Sequence, residues 1–376
     1  MERWPAHVDP DFVSRLRVFV AERVLPVAAT IDREDLYPKE VIEALAREGY
    51  NTVSLATEHG GAGRSFAFNA AVFEEVSCAS GAVGASLITI YLAQRTLELY
   101  GSPTIKERIL PRFARGLVAS FAMTEASHGS DVHHLETKAV RTSGGWVLNG
   151  TKSFVTSSSA AEVFVILAET DRGVSSFLVP RDAPGVTTRL GEHAATFGLR
   201  NGPHLDLVLE RVELPGDHLL GEEGRGVKQA AMTLDHSRTL AAAISIGIAR
   251  AAFDGALAFA RERTAFDKHV TDFQGIQWYF ADMLTEIDAA RLLVYESARA
   301  LDRGCEIARF SSEAKLLASR VATQVAAQAI QICGAKGMLA EAPFGRYLRD
   351  AKAYEIAGGS SEILKNTIAR QLLAGP

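Results

Sequence analysis

The stretch MTEASHGSD at residues 123–131 lies where the chain changes from a helical pattern to a strand pattern. Before it, apolar residues recur at helical spacing, for example at Phe12, Leu16, Phe19 and Val20. After it, short apolar runs and alternating runs continue for about 100 residues and indicate strands. The order of the two patterns predicts a helical part followed by a β-domain.

The stretch itself predicts a polar turn that follows a strand. Thr124 and Ser130 place hydroxyl groups on either side of Gly129. Backbone N–H groups and hydroxyls at such a turn suit the edge of a flavin ring and a pyrophosphate. An ordinary polar turn is the alternative interpretation of these residues alone.

Proline placement separates a second helical part from the β-domain. No proline occurs between Pro215 and Pro343, and this stretch is rich in Ala, Leu, Ile and Arg, as long helices require. The predicted helices are 225–262, 273–302, 306–333 and 361–373, with a shorter one over 344–355. We therefore expect an α+β fold with an N-terminal helical domain (1–116), a middle β-barrel-like domain (117–224) and a C-terminal four-helix bundle (225–376).

Composition narrows the class of protein. The chain has 376 residues, 47% hydrophobic residues and a net charge of −5, which argues against nucleic acid as a partner. Cys78, Cys305 and Cys333 have neither the spacing of a metal site nor that of a disulfide framework. The first five residues do not resemble a signal peptide, and we see no apolar stretch of about 18 residues that would span a membrane. We expect a cytoplasmic protein without a metal site.

A second motif, NGTKSFVT, occupies residues 149–156. If this segment is a strand, Phe154 and Thr156 lie on one side of it, because side chains alternate with a period of two. A ring and a hydroxyl on the same side would cover a flavin. A core aromatic residue beside a surface threonine is the alternative.

Three further motifs occur in the C-terminal half, at 263–266 (RTAF, followed by Gln274), 331–338 (QICGAKGM) and 358–363 (GGSSEI). An arginine at a helix end is attracted by the carbonyl groups there, and it equally suits a phosphate. The glycines after Gln331 are also typical of a simple C-cap. Ser360 or Ser361 would cap a new helix, whose N-terminal N–H groups attract anions.

In their order and spacing these motifs resemble those of the acyl-CoA dehydrogenase family, from about residue 11 to the end of the chain. The family patterns at 123–131 and at 349–352 (RDAK) match without change. Three positions depart from the pattern: Phe154 replaces Trp, Asp267 replaces Gly and Ala335 replaces Gly.

The resemblance implies that FAD lies between the β-domain and the bundle, and that a neighbouring subunit completes the site in a homodimer or homotetramer. The positions that match FAD contacts within one subunit are Phe121, Met123, Thr124, Gly129, Ser130, Phe154, Thr156, Ser360 and Glu362. The positions that match contacts from the partner subunit are Arg263, Phe266, Gln274, Gln331 and Ala335.

The family reaction removes two hydrogens from an acyl thioester: a glutamate takes the α-proton and the β-hydride passes to the flavin. The family places that glutamate at one of two positions, which in this chain are Gly358 and Ser237. Neither is a carboxylate. Arg238 matches the family arginine near the pantetheine arm, and Asp235 is a candidate contact to the substrate. Gly358 keeps the backbone N–H that in the family helps to hold the thioester carbonyl.

Three hypotheses follow from the missing glutamate. The base has moved, with Asp235, His236, Glu355 and Glu362 as candidates. Alternatively, the flavin chemistry differs, as in the monooxygenases of this fold or in a redox-neutral closure of a cyclopropane ring in natural-product pathways. Finally, the chain is an inactive assembly subunit. We favour a flavoenzyme that acts on a short or branched acyl group, or an aminoacyl group, carried as a thioester of CoA or of a carrier protein.

Overall fold

The computed structural model describes residues 8–191 and 195–374. The N-terminal segment on which the signal-peptide expectation rested lies outside these residues. In the described part the chain forms a helical N-terminal part, a sheet and a helical C-terminal part, so the predicted α+β fold is confirmed. The N-terminal helices are α1 (Pro10–Phe19), α2 (Ala28–Glu34), α3 (Lys39–Arg47), α4 (Phe66–Ala79), α5 (Gly81–Tyr100) and α6 (Pro103–Phe113).

Helices α4 and α5 are apolar on nearly all sides because both are almost entirely buried. Helix α4 packs against α5 and against two helices of the C-terminal part. The break between α4 and α5 falls at Ser80, whose hydroxyl accepts a hydrogen bond from the Val83 N–H at 3.3 Å. This serine is the N-cap of α5, so the helix begins at Gly81.

The middle part is a sheet in which eight strands are joined by hydrogen bonds. Its strands are β1 (Ala119–Ala122), β2 (Lys138–Thr142), β3 (Gly145–Val155), β4 (Val163–Thr170), β5 (Gly173–Pro180), β6 (Val186–Arg189), β7 (Leu205–Pro215) and β8 (Leu219–Leu220). The order is β6-β7-β3-β2-β4-β5-β8, and β1 pairs in parallel with β4. A tight hairpin joins β2 to β3, since Thr142 pairs with Gly145.

The C-terminal helices follow the predicted bounds closely. They are α7 (Gly226–Glu262), α8 (Gln274–Asp302), α9 (Ala308–Cys333), α10 (Phe344–Ala353) and α11 (Ser361–Leu373), with a two-stranded ribbon, β9 (Thr264–Ala265) and β10 (Lys268–His269), between α7 and α8. Helices α7, α8 and α9 pack side by side along the chain's up, down, up course. The end of α7 therefore lies beside the end of α9, and the Lys336 amino group is 5.9 Å from the centre of the Phe259 ring.

A small apolar cluster joins the sheet to the beginning of α7. Leu167 and Val174 of the sheet pack with Ala230 of α7, and the half-buried side chains of Phe121 and Met123 lie against them. Apolar contact of this kind holds two elements together without directional bonds. The first motif is therefore anchored on the bundle as well as on the sheet.

Helix α7 corrects one expectation from the sequence. It is long and apolar enough, by length and composition, to cross a membrane, with a mean hydropathy of 1.5 over its most apolar window. Yet 67% of that window is buried inside the protein. The core helix of a folded bundle meets the same criterion, and the packing of α7 between α4, α5 and α9 accounts for its composition.

Candidate active site

The first two motifs are joined by a buried ion pair that the sequence analysis missed. The Lys152 amino group lies 2.6 Å from a Glu125 carboxylate oxygen, and the exposed fractions of the two side chains are 0% and 2%. The Ser153 N–H also donates to the Thr124 carbonyl at 2.8 Å. Glu125 and Lys152 belong to the first and the second motif. Their opposite charges were the sequence signal from which an ion pair between the two motifs could have been predicted.

Backbone N–H groups also donate hydrogen bonds to the Glu125 carboxylate. It accepts hydrogen bonds from the N–H groups of Glu136 at 2.6 Å and Thr137 at 3.1 Å. Burial opposes ionisation, but the hydrogen bonds from Lys152 and Thr137 outweigh it and lower the pKa of Glu125. Burial also lowers the pKa of Lys152 to about 8, against the attraction of Glu125. The pair closes the loop that carries Gly129 and Ser130.

Phe154 is partly exposed for a reason that strand alternation did not predict. The pairing of β3 with β7 is irregular between Lys152 and Val155, and Phe154 has a φ of +54°. The strand ends at Val155, so Thr156 lies beyond it. The prediction that alternation along a regular strand puts Phe154 and Thr156 on one side is therefore wrong. The ring of Phe154 is 46% exposed between two buried neighbours.

The other residues of this half of the site line the same junction. Thr124 and Thr156 are half-buried, whereas Gly129 and Ser130 are exposed. The Ser120 hydroxyl donates to the Thr156 carbonyl at 2.7 Å, which ties β1 to the end of β3. The structure thus brings together the residues of the first two motifs.

The loop before α11 presents backbone rather than side chains. Gly358 and Gly359 have φ values of +73° and +112°, a region that glycine occupies at no steric cost. A Cβ atom placed on Gly358 would meet nothing within 4 Å. Ser360 is the N-cap of α11, and its hydroxyl accepts a hydrogen bond from the Ile363 N–H at 3.4 Å. Glu362 is exposed in the first turn of α11.

Arg238 of α7 connects this loop to the bundle. Its Nη1 donates to the Asp235 carboxylate at 2.7 Å and its Nε donates to the Gly358 carbonyl at 3.3 Å. The residue is 7% exposed. Burial raises the pKa of Asp235, and the Arg238 charge opposes that rise. The predicted contact of Arg238 with a pantetheine arm stays a prediction; the contacts seen here are with Asp235 and the Gly358 backbone.

Neither Ser237 nor His236 offers a free lone pair of suitable basicity. The Ser237 side chain is buried, and its hydroxyl donates to the Leu234 carbonyl at 3.0 Å. The His236 Nδ1 accepts a hydrogen bond from the Arg95 Nε at 3.0 Å, so its proton is on Nε2. Burial, and then the Arg95 charge, lower the pKa of His236 to about 4. His236 is thus a neutral ring whose Nδ1 lone pair is occupied.

Glu355 and Glu362, the other two candidate bases, also have local partners. Burial opposes the ionisation of Glu355, but the hydrogen bond from the Lys352 amino group, at 2.8 Å, helps to lower the pKa of this carboxyl group. The Glu362 pKa is lowered by its own backbone N–H and then by the Ser360 hydroxyl, as expected for an acid in the first turn of a helix. Both carboxylates are therefore engaged in local contacts.

Five of the predicted cofactor residues lie at the opposite end of the bundle. Helix α7 is continuous from Arg238 to Glu262, which at 1.5 Å per residue separates these two positions by about 36 Å. Phe266, just beyond that end, is 89% exposed. The residues at this distant end are Arg263, Phe266, Gln274, Gln331 and Ala335. The separation exceeds the length of an extended flavin dinucleotide, so one chain does not bring both groups to one cofactor.

The residues at the near end fit a flavin. Phe154 presents an aromatic ring beside the polar turn of the first motif. Within residues 8–191 and 195–374, the N–H groups of Gly358, Gly359 and Ser360 donate to no acceptor. Such donors at the beginning of a helix suit ribityl, pyrophosphate or carbonyl oxygens.

Comparison with known proteins agrees with this geometry. Three sequence profiles, acyl-CoA dehydrogenase N-terminal, middle and C-terminal domain, match residues 10–117, 120–212 and 224–373. The probable acyl-CoA dehydrogenase FadE25 of Mycobacterium tuberculosis is 34% identical over 96% of this chain and 94% of its own. The mitochondrial short-chain specific acyl-CoA dehydrogenase of Mus musculus is 37% identical over 95% and 88%.

A solved relative has the same fold along its whole length. The butyryl-CoA dehydrogenase of Megasphaera elsdenii superposes with a TM-score of 0.95 at 31% identity, covering 99% of this chain and 100% of its own. The chain belongs to the acyl-CoA dehydrogenase family, a family of flavin-dependent dehydrogenases. Related structures contain FAD or FADH2, so the predicted cofactor is confirmed for the family.

Proposed function

We propose that this protein is an FAD-dependent enzyme that acts on the acyl group of a thioester without a carboxylate at either family base position. The proposal rests on the residues that occupy the two family base positions, Gly358 and Ser237. Gly358 leaves open space where a carboxylate would stand, and the Ser237 hydroxyl is buried and committed to Leu234. Bound FAD would supply the capacity to accept two electrons as a hydride.

The chain's own part in such chemistry is to activate the thioester. The N–H of Gly358 has no acceptor within residues 8–191 and 195–374 and would donate to the thioester carbonyl, while Arg238 holds the carbonyl of the same glycine. A donor aimed at the developing enolate oxygen makes the α-proton more acidic, typically by an amount worth 10²–10³ in rate. The activating donor is thus retained although the base is absent.

The proton acceptor is then best sought in the space beside Gly358. Asp235 is one of the four candidate bases, but its carboxylate is paired with Arg238 at 2.7 Å. A water molecule or a group of the substrate would occupy the volume that a glutamate side chain fills in the family. An acyl group that carries its own basic or leaving group suits this arrangement, and it is compatible with dehydrogenation and with ring closure.

The carrier of the acyl group is CoA or a carrier protein. One structural relative is described as a complex of glutaryl-CoA dehydrogenase with glutaryl-CoA, at a TM-score of 0.93 and 30% identity. The prolyl acyl carrier protein oxidase AnaB shares the fold at a TM-score of 0.93, but at 24% identity that likeness extends to the fold alone. The pantetheine arm is common to both carriers, so we propose a pantetheine thioester as the substrate class.

We also propose that two subunits build each site. The residues at the far end of α7 and α9 are exposed and lie too far from Gly358 to reach the same cofactor in one chain. A second copy with its bundle reversed would bring them to the flavin. A symmetric homodimer, alone or within a tetramer, provides two such sites.

Anaerobic mixing of the purified yellow protein with acyl thioesters tests the proposal. Bleaching of the flavin together with loss of two hydrogens from the acyl group identifies dehydrogenation. Turnover without net bleaching identifies a redox-neutral reaction such as ring closure, and reduction only by added NAD(P)H identifies a monooxygenase. A colourless protein that binds no added FAD would contradict the proposal and indicate an assembly subunit.

A further inference from the structure

A fully buried lysine contacts the loop in which Gly358 occupies the expected position of the family base. Lys315 of α9 is 0% exposed. Its amino group donates to the Gly359 carbonyl oxygen at 2.6 Å. Within the described ranges, 8–191 and 195–374, no carboxylate lies within ion-pair distance of it. Burying an ammonium group without a carboxylate partner costs free energy. We therefore ask what its contact with the loop contributes.

Lys315 and Arg238 hold two successive carbonyl groups of one loop from two neighbouring helices. Arg238 of α7 holds the oxygen of Gly358, and Lys315 of α9 holds the oxygen of Gly359. Each carbonyl shares a rigid peptide plane with the N–H of the next residue, and in a trans peptide the two point in opposite directions. The N–H groups of Gly359 and Ser360 are therefore turned away from the two cations.

Glycine makes this restraint necessary. With no Cβ, Gly358 and Gly359 have the widest choice of backbone conformation, and both adopt positive φ values here. Nothing packs against the side-chain position of Gly358. The loop is thus held by its carbonyl groups rather than by side chains, and the two contacts compensate for the freedom that the second glycine adds.

We propose that Lys315 is a positioning residue of the thioester site: it fixes the Gly358–Ser360 backbone so that the N–H groups of this loop face the flavin and the thioester carbonyl. The inference rests on the proposed function. Lys315 itself does not reach the reacting atoms. It acts through the loop, together with Arg238.

The test compares Lys315→Met with Lys365→Met in the FAD-loaded protein. Methionine has a similar volume but donates no hydrogen bond. Lys365 is exposed on α11 and outside the site, so its variant removes the same charge near the same loop without a contact to it. The first readout is hydrogen exchange by mass spectrometry over residues 355–361, where the N–H groups of Glu355, Ile356, Ala357 and Ser361 are hydrogen-bonded.

We expect these four amides to exchange at least tenfold faster in Lys315→Met than in the wild type, and unchanged in Lys365→Met. A tenfold change corresponds to about 1.4 kcal/mol, the scale of one hydrogen bond. The second readout is the shift of the flavin absorption band when an unreactive thioether analogue of an acyl-CoA binds. We expect that shift to be reduced at least tenfold in amplitude at equal analogue concentration, with FAD content unchanged.

The outcomes separate the two proposals. If the wild type shows no band shift with any pantetheine ligand, the proposed function fails and the inference fails with it. If the wild type shows the shift and Lys315→Met matches it in both readouts, Lys315 is only a core residue. Should Lys315→Met not fold, Lys315→Gln, which keeps a donor, replaces it, and slow exchange and a full band shift in that variant support the positioning role. If the glutamine variant shows fast exchange and no band shift, a hydrogen-bond donor at residue 315 is not enough to hold the loop. That result would overturn the proposal that Lys315 acts by donating a hydrogen bond.

Discussion

Arg238 donates from Nε to the carbonyl oxygen of Gly358, with 3.3 Å between the two atoms. The contact joins the first helix of the bundle to a loop 120 positions further along the chain. The family resemblance predicts the catalytic glutamate at this position, and the residue is glycine. The bundle therefore holds the backbone at a position that offers no side chain.

Gly358→Glu should introduce dehydrogenation of a simple acyl-CoA. There is room for the side chain, because nothing lies within 4 Å of a Cβ atom. The φ of +73° is unfavourable for glutamate, and we expect a loss of about 1–2 kcal/mol in the free energy of unfolding. Anaerobic bleaching of the flavin by butyryl-CoA measures the gain.

Gly358→Ala is the matched control, since it has the same backbone strain and no carboxylate. It should be destabilised to a similar degree and show no bleaching beyond that of the wild type. Equal inertness of both variants, with loss of FAD, would mean that the position of the family glutamate has been assigned to the wrong residue.

Asp235→Asn tests whether the base has moved to α7. The carboxylate is held by Arg238 at 2.7 Å, and we expect it to orient that arginine rather than to accept the α-proton. The variant should then lower kcat by less than about tenfold, whereas loss of a general base typically lowers the rate by about 10²–10⁴-fold. Single-turnover rates across pH 5–9 measure the effect, and a loss of about 10³-fold would identify Asp235 as the base.

Lys152→Met should destabilise the protein strongly. It leaves Glu125 buried without its cation, and breaking a buried ion pair at one partner typically costs about 3–5 kcal/mol. We expect FAD to be lost as well, because the pair closes the loop that carries Gly129 and Ser130. Urea unfolding and flavin content measure the two effects.

Lys138→Met provides the comparison for that variant. Lys138 pairs with Glu169 at the same distance of 2.6 Å, but the two side chains are 55% and 35% exposed. A surface pair of this kind contributes about 0–1 kcal/mol. If the two variants lose equal stability, burial does not govern the strength of the Glu125–Lys152 pair.

Lys315 should make stability depend on pH in the alkaline range. Burial, and then the Arg238 charge, lower its pKa from 10.5 to about 7, against the attraction of Glu355 and Glu362. Between these two values the unfolded chain binds a proton that the folded chain does not. The free energy of unfolding therefore rises with pH from about 7 towards 10, by up to about 1.4 kcal/mol per pH unit.

Lys315→Met removes this dependence, so the stability of the wild type relative to the variant should increase from pH 6 to pH 10. Urea titrations of both proteins at pH 6, 8 and 10 measure the difference, in which other titrating groups cancel. A difference that stays constant with pH would show that the Lys315 pKa is not lowered by folding.

Two inactive variants should complement each other if the site is shared between subunits. Phe154→Ala alters the near end of the bundle and Gln331→Ala the far end. Random mixing into dimers makes half of them heterodimers, each with one intact site, so about a quarter of all sites should regain FAD. Refolded or co-expressed mixtures are compared with each variant alone, and the absence of any recovery would argue that each chain binds its cofactor by itself.

Most of the helix bounds in the C-terminal part were predictable. The proline-free stretch and its alanine-rich composition predict helices that begin within two residues of the observed ones. The motifs were recognisable because each combines glycine, hydroxyl and charged residues in a fixed order. The site was predictable to the extent that it follows from motif positions, including the absence of a carboxylate at Gly358 and Ser237.

Contacts between distant segments were not predictable in the same way. The exposure of Phe154 depends on an irregularity in the pairing of β3 with β7. The prediction from regular alternation along the strand was therefore wrong. The Glu125–Lys152 pair forms because a loop residue and a residue of β3, 27 positions apart, meet in the core. The occupied lone pair of His236 depends on Arg95, which comes from another helix altogether.

The amino-acid sequence by itself determined the family, the order of the three parts and the absence of a carboxylate at Gly358 and Ser237, since these depend only on residue identity and spacing. The tertiary structure alone decided what holds the Gly358 loop and which candidate bases are already engaged. The physical reason is that hydrogen bonds act over about 3 Å. The partners of Gly358 and Gly359, which are Arg238 and Lys315, become neighbours only when α7 and α9 pack beside the loop before α11.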